Sequence, residues 1–231
     1  MADPVVSIVI PAFNEEATVG RVLEGVKDVM KEVGAPYEVI VVNDGSTDRT
    51  AEIVKDYNVI LVHHEVNLGK GAALKDGFMK SRGKIVVTLD ADGSHNPEDI
   101  SKLILPLINC NDIDVTIGAR FINRTGKSST SKLHIVGNKI INVVILLMTG
   151  KYVSDSQTGF RAFRRDVLRK IPLNGSRYEI ESEMTVGMLK RNMRILEVPI
   201  NCVKRNKGYT KISSLKDGFK ILKSIFKAAI Y

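Results

Sequence analysis

The chain has 231 residues, 44% of them hydrophobic and 26% charged, with a formal net charge of +8. That length suits one large α/β unit, and the composition excludes a disordered chain, a collagen-like fibre or a polytopic membrane protein. Two cysteines, Cys110 and Cys202, are too few and too far apart for a disulfide scaffold or a Cys-rich zinc site and point to a reducing compartment.

The N-terminal Met-Ala-Asp-Pro leads straight into an apolar run with no secretory signal pattern, so a cytoplasmic location is expected. Val5 to Ile10 (VVSIVI) is β-branched and closed by Pro11. Val19, Leu23, Val26 and Met30 then recur at helical spacing within Glu16 to Lys31, predicting strand then helix. The alternation repeats with EVIVV (38–42), a helix over 50–57, VILVHH (59–64), a helix over 71–81 and KIVVTLD (84–90). Continuously apolar strands separated by helices predict a mostly parallel sheet with helices on both faces. Ligands of such sheets bind beyond the carboxyl ends of the strands, so residues just after each strand are the candidates for function. Further on, the pattern predicts a strand over 115–119, a polar loop over 124–131 and an apolar helix over 133–148. An extended 159–163, a helix over 179–191 and a strand over 196–203 complete it. The longest apolar stretch, Ile140 to Met148, is interrupted by Asn142 and falls short of the roughly 20 residues that span a bilayer.

PAFNEE follows the first strand. Pro11 ends the ladder, and Glu15 can accept hydrogen bonds from a base or ribose; the alternative is a helix start with Asn14 as N-cap and acids at the positive end. NDGSTDRT follows the second strand, with Asp44 at the strand end, Gly45 for the turn, and Ser46 or Thr47 as a helix cap. Neither GxGxxG after the first strand nor GxxxxGK[ST] is present, which excludes a dinucleotide fingerprint and a P-loop. NLGKGAAL (67–74) opens another helix with two glycines and Lys70, suited to a phosphate or to a tight loop. The strongest local signal is TLDADGS, where an apolar strand ends in Asp90 and Asp92. Two carboxylates there can share Mg2+ or Mn2+ that also bridges diphosphate oxygens. The alternative is a polar turn before a helix beginning at Asn96 and Pro97.

DSQTGFRAFRRD (155–166) brings a hydroxyl, a glycine and Arg161 together. Thr158 and Arg161 can hold an anionic oxygen, since guanidinium matches phosphate in a fork; an arginine-bearing edge strand would look the same. YEIESEM sets Glu179, Glu181 and Glu183 in alternation at a helix start, where acids are favoured and one can serve as a general base. His63, His64, His95 and His134 have no metal-like spacing. From Lys204 onward eight basic residues face Asp217 alone, so the positive charge belongs to one terminal device. There Ile212, Leu215, Phe219, Leu222 and Phe226 form one helical stripe, with Lys216, Lys220, Lys223 and Lys227 beside it. Such a basic amphipathic helix can lie on an anionic membrane surface, or pack its stripe on the domain. The tail lacks the aromatic interleaving of a nucleic-acid platform, so no nucleic acid is expected as a partner.

SIVIPAFNEE, VVNDGSTDRT, NLGKGAAL, LDADGSHNPED, IGARF, DSQTGFRAF, EVPI and RNKGYTK occur in this order almost end to end. Together they resemble family 2 glycosyltransferases, and among them the dolichyl- or polyprenyl-phosphate mannose or glucose synthases. The resemblance implies a glycosyltransferase A-type, Rossmann-like α/β fold that binds a nucleotide-diphospho-sugar such as GDP-mannose or UDP-glucose. In it Pro11, Ala12, Phe13, Glu15 and Asp44 hold the nucleoside, Asp90, Ala91 and Asp92 form the metal and diphosphate motif, and Lys70 joins the donor site. Arg120, Thr158, Arg161, Arg205 and Lys211 fall at positions that surround donor diphosphate or acceptor phosphate in similar enzymes. The family often shows two acids where this chain has Asn43-Asp44, and serine where it has Thr158 and Thr210. The 131–138 segment does not reproduce the mannose-synthase pattern, which leaves the sugar open.

Direct attack on the anomeric carbon would invert its configuration. A phosphate acceptor is already largely anionic near neutral pH and needs cations rather than a base. A sugar hydroxyl in glycan synthesis would need a base such as Glu183. The expectation is therefore an inverting, metal-dependent hexosyltransferase acting on a polyprenyl phosphate at the cytoplasmic membrane face, alone or with small membrane subunits. Residues 1–211 form its catalytic domain and 212–231 a membrane-surface helix. The competing readings are a hydroxyl-acceptor enzyme of the same family and a non-catalytic binding module.

Overall fold

In a computed structural model of the chain, residues 3–122, 132–171, 173–201 and 215–230 are described. Seven strands form one sheet: β1 (Val6–Ala12), β2 (Tyr37–Asp44), β3 (Ile60–His64), β4 (Ile85–Thr88), β5 (Val115–Ala119), β6 (Arg161–Arg164) and β7 (Ile195–Pro199), in the spatial order β3-β2-β1-β4-β6-β5-β7. β1 lies centrally between β2 and β4, with Ile10 opposite Val41 and Val9 opposite Thr88, and these pairings are parallel. β6 is antiparallel to both neighbours, and β7 returns parallel to β5. The fold is therefore the mostly parallel α/β arrangement expected, with one reversed strand that the spacing pattern does not signal.

That reversal positions the site. Because β6 runs backward, its first residue, Arg161, lies opposite Thr88 at the carboxyl end of β4. The Thr88 hydroxyl donates to the Gly159 carbonyl at 2.6 Å. The segment 155–161 is thus delivered to the same sheet edge as Asp90.

Helices cover both faces. α1 (Val19–Val33) and α4 (Ile100–Asn109) pack Val22, Val26, Leu103 and Leu107 with Ile8 and Val87 of the sheet. α3 (Lys70–Lys80) and α7 (Glu179–Lys190) bury Leu74, Ile180 and Met184 against Val9, Val42 and Val86 on the other. α2 (Thr50–Lys55) and α6 (Arg165–Leu168) are short connectors. α5 (Lys132–Thr149), α7 and α8 (Leu215–Ile230) share a third cluster containing Ile145, Val186, Ile221 and Ile225. The terminal helix thus packs on the domain through Ile221 and Ile225, while Lys223, Phe226 and Lys227 face outward. Among the described residues no helix is long and apolar enough to cross a membrane.

Candidate active site

The loops after β1 and β2 are fastened to each other at the sheet edge. Asn14 adopts the left-handed backbone conformation (φ 55°) that asparagine tolerates. Its N–H donates to the Ser46 hydroxyl, and its side-chain oxygen accepts from Thr47 N–H at 2.8 Å. Asn14 therefore braces the neighbouring loop rather than capping α1, whose N-cap is Thr18. Glu15 N–H donates to Thr50 and its carboxylate accepts from Thr18 at 3.2 Å. Pro11 and Phe13 are half-buried and Ala12 buried, so the segment forms a rigid lip.

Asp44 is the anchor of the next loop. Its carboxylate accepts from Leu68 N–H, Gly69 N–H and the Asn67 amide, each at 2.9 Å, and meets His64 Nδ1 at 2.8 Å. His64 Nε2 is 2.9 Å from Asp76 in α3. Burial alone would depress the His64 pKa, but these two carboxylates outweigh it and hold it above its usual value. Asp44, expected at the nucleoside, thus directs its oxygens at the loop that starts α3. Gly69, at φ 100°, completes that loop where a Cβ would run into the Ser176 carbonyl.

Beyond this loop lies a buried charged cluster. Lys70 Nζ sits 2.6 Å from Asp90 Oδ1 and 2.6 Å from Glu181 Oε1. Burial opposes its charge, yet the two acids raise its pKa well above normal and keep it an ammonium. Asp90 would be pushed up by burial, but Lys70 and then His95 hold it below the usual carboxylate range. For Glu181 burial wins over Lys70, and its pKa is raised. Arg161 is fully buried; it donates to the carbonyls of Thr158 at 2.9 Å and Ser156 at 2.7 Å, and burial brings its pKa down to about 10. Three polar groups in this cluster have no hydrogen-bond partner among the described residues: Glu181 Oε2, Arg161 Nη1 and both ring nitrogens of His95. Buried groups of this kind are rare unless something else satisfies them. His95 rests against Phe160, ring centroids 5.3 Å apart.

Asp92 lies half-buried two residues beyond Asp90, its carboxylate accepting from Ser94 N–H at 2.9 Å. Ala91 between them is buried in the core and keeps the two acids on one turn. Among the described residues no three His, Cys, Asp or Glu side chains group as a metal cage. A hard cation held by Asp90 and Asp92 would therefore complete its oxygen shell from a diphosphate and water, the open coordination usual for Mg2+. The two hard carboxylates fit such an ion, and the unpartnered Arg161 Nη1 beside them fits an anionic oxygen of its diphosphate.

Arg120, directly after β5, forms a two-pronged pair with the fully buried Asp155, Nε at 2.6 Å and Nη2 at 2.8 Å. Asn138 of α5 donates to the same carboxylate at 3.2 Å. Thr158 is buried and accepts from Phe160 N–H. Glu183 is engaged by the turn before its own helix: its carboxylate accepts from Asn174 N–H at 2.9 Å and Gly175 N–H at 2.7 Å, and from the Asn174 amide. Glu183 thus fastens the turn before α7, while Glu181 enters the charged cluster. Arg205, Lys211 and the 124–131 loop lie outside the described residues.

Asp90, Lys70, Thr158 and Arg161 of the expected residues are thus brought together, with Asp92 and Arg120 at the same edge. Sequence reasoning does not single out His95 or Asp155, and leaves Glu181 as one of three alternating acids. An available signal is composition: a histidine and an aspartate inside otherwise small, turn-forming motifs (DGSHNP, SDSQTG).

The sequence model for glycosyl transferase family 2 matches residues 7–172. The chain is 32% identical to the UDP-N-acetylglucosamine--dolichyl-phosphate N-acetylglucosaminyltransferase of Methanococcus voltae, over 96% of this chain and 94% of that one. It is 31% identical to a dolichyl-phosphate beta-glucosyltransferase of Trichomonas vaginalis, over 91% of this chain and 69% of the other. The glucosyl-3-phosphoglycerate synthase of Mycobacterium tuberculosis, solved with Mn2+, UDP and phosphoglyceric acid, superposes with a TM-score of 0.74 at 22% identity. That superposition covers 98% of this chain and 78% of the synthase, and the shared architecture is the glycosyltransferase A-type fold. A match spanning most of the chain, on a fold whose strand ends carry the matching motifs, makes this protein a member of glycosyl transferase family 2.

Proposed function

We propose that this glycosyltransferase moves a hexosyl unit from a nucleoside-diphosphate sugar to the phosphate of a polyprenyl lipid, with inversion at the anomeric carbon. The observation that carries the reading is the character of the sheet edge. Lys70, Arg120 and Arg161 converge there around Asp90, while Glu183, the candidate base for a hydroxyl acceptor, spends its carboxylate on the 174–175 turn. A phosphate monoester nucleophile needs charge neutralisation and alignment rather than deprotonation. The names of the relatives in Methanococcus voltae and Trichomonas vaginalis support the same acceptor class.

In this reading the Asn14–Thr47 and Asp44–Leu68 contacts hold the loops that receive the nucleoside. An acceptor phosphate oxygen attacks the anomeric carbon as the bond to the donor β-phosphate breaks, and the electron pair leaves with the nucleoside diphosphate. Lys70 and Arg120 orient the anions, and Arg161, locked by two carbonyls, lends a fixed positive charge beneath them. Mg2+ or Mn2+ at Asp90 and Asp92 would neutralise diphosphate charge.

An apolar membrane-facing surface fits a lipid acceptor. Val136, Ile140, Val143 and Leu147 recur along one side of α5 and are all more than half exposed, with Phe226, Lys223 and Lys227 outward on α8. We assign this face to the anionic cytoplasmic leaflet, with the basic residues near the headgroups.

The test is product formation from a panel of labelled UDP- and GDP-sugars with a short polyprenyl phosphate, detergent and Mg2+, beside a chelated control. Metal-dependent glycolipid from one donor is expected. Donor turnover only with hydroxyl acceptors overturns the lipid assignment, and full turnover in Asp90→Asn with Asp92→Asn overturns the metal role.

A further inference from the structure

The Asp90 carboxylate is already engaged. Lys70 Nζ occupies the side of Oδ1 at 2.6 Å. A Cβ on Gly159 would stand 2.7 Å from Oδ2, 3.1 Å from Oδ1 and 2.6 Å from the ammonium. Gly159 is not in the left-handed region; its missing side chain leaves room for the ammonium and the carboxylate to share this confined position. The second partner of Lys70, Glu181 Oε1, is equally close, and its other oxygen has no partner among the described residues. Lys70 opens α3 directly after the Gly69 turn, where the helix N-terminus favours anions, so its stem is rooted on the phosphate side of the site.

We propose that Lys70 is a built-in stand-in cation: with no donor bound it occupies Asp90, and a divalent ion displaces it onto the incoming diphosphate. The proposal rests on the metal-dependent reading given above and deepens it. An ion on Asp90 and the Lys70 ammonium would stand within a few ångströms of each other and repel, so binding the ion weakens the hold of Asp90 on the ammonium. Displacement strips Lys70 of one of its two acids; with Glu181 alone to hold it, the ammonium swings toward the open donor side of the site, where the diphosphate accepts it. Metal and donor then bind in concert. The ion frees the lysine that the donor needs, and the donor gives that lysine its new partner.

Amine-reactive labelling of the wild-type chain, read residue by residue by mass spectrometry, follows Lys70 directly, with the exposed Lys27 as an internal control. Lys70 is expected to resist modification in the protein alone, to react when Mg2+ or Mn2+ is added without nucleotide, and to be protected again by metal with UDP. A Lys70 that stays protected while electron paramagnetic resonance shows Mn2+ bound without nucleotide overturns the proposal. Lys70→Met supplies a second readout: nucleotide-free Mn2+ affinity is expected to rise about tenfold, the size of effect a like charge at this range exerts. Unchanged or weaker Mn2+ binding in that variant also overturns it. If Mn2+ binds neither protein even with UDP present, it is the metal-dependent reading that fails, and the stand-in role with it.

Discussion

His64 Nδ1 lies 2.8 Å from Asp44 Oδ1 while its Nε2 reaches Asp76, so one buried imidazole ties the end of β2 to α3. Both partners are carboxylates, and Asp44 also accepts from the Asn67 amide and from Leu68 and Gly69 N–H. Burial works against the imidazolium, but the acids prevail and its folded pKa stands above the ordinary 6.5. The stabilisation this provides is fully present below pH 6.5 and is lost as pH rises through the elevated folded value. His64→Gln is therefore expected to lower the melting temperature most at pH 6, with the gap to wild type narrowing toward pH 9. A gap independent of pH across melts at pH 6, 7.5 and 9 would show that His64 is neutral in the folded protein.

The Arg120–Asp155 pair joins the site to α5. Asp155 is fully buried and accepts both prongs of the guanidinium together with the Asn138 amide. Removing one partner of a buried ion pair leaves the other uncompensated, so Asp155→Asn should cost about 3 kcal/mol of stability. Chemical denaturation measures that loss. At temperatures where the variant stays folded, Arg120 loses its fixed orientation, and turnover is expected to fall at least tenfold. Unaltered turnover would mean that Arg120 does not act from this geometry.

Glu183 and Glu181 meet different partners from one helix, the 174–175 turn for Glu183 and Lys70 for Glu181. Glu183→Gln keeps the shape and loses the charge that two backbone N–H groups and an amide address. A loss of about 1–2 kcal/mol is expected, with turnover within a few-fold of wild type at 25 °C. A variant that folds normally and loses all activity while still binding donor would instead make Glu183 a base and favour a hydroxyl acceptor.

How far the sequence reads ahead of the structure depends on the kind of information each feature needs. Apolar strand runs such as VVSIVI and EVIVV state their burial in one dimension, and β1 to β5 appear within two or three residues of where periodicity puts them. The reversed β6 does not announce itself, because direction depends on how far α5 carries the chain and not on RAFR itself. The same holds for α7. Alternating acids on a helix start point to different sides, and only packing against 174–175 decides that Glu183 fastens a turn while Glu181 meets Lys70. The Asp90 motif is legible because its chemistry is local. The partners that tune it, Lys70, Glu181 and Gly159, come from three distant segments and meet only through the sheet.

The outer face of α5 carries the proposed membrane contact and tests it directly. Its inner face is fixed by Ile145 in the core and by Asn142, whose amide donates to the Ser154 carbonyl at 2.8 Å, so the helix cannot roll to hide the opposite side. Val136, Ile140, Val143 and Leu147 are consequently held in solvent, and Leu147 is 79% exposed. Transfer of such side chains out of water is worth about 1.5–3 kcal/mol each when complete, and partial insertion of several suffices for reversible binding. Nearby lysines on α8 add on the order of 1 kcal/mol each at an anionic surface. Leu147→Asp removes apolar area and places a negative charge against the leaflet without touching the core. Its melting temperature is expected to match wild type, while co-sedimentation with vesicles containing anionic lipid falls at least tenfold. Turnover of a long-chain polyprenyl phosphate in those vesicles should fall with it, and turnover of a short, detergent-dispersed acceptor should not. Equal vesicle binding by the variant and wild type would move the membrane contact away from α5.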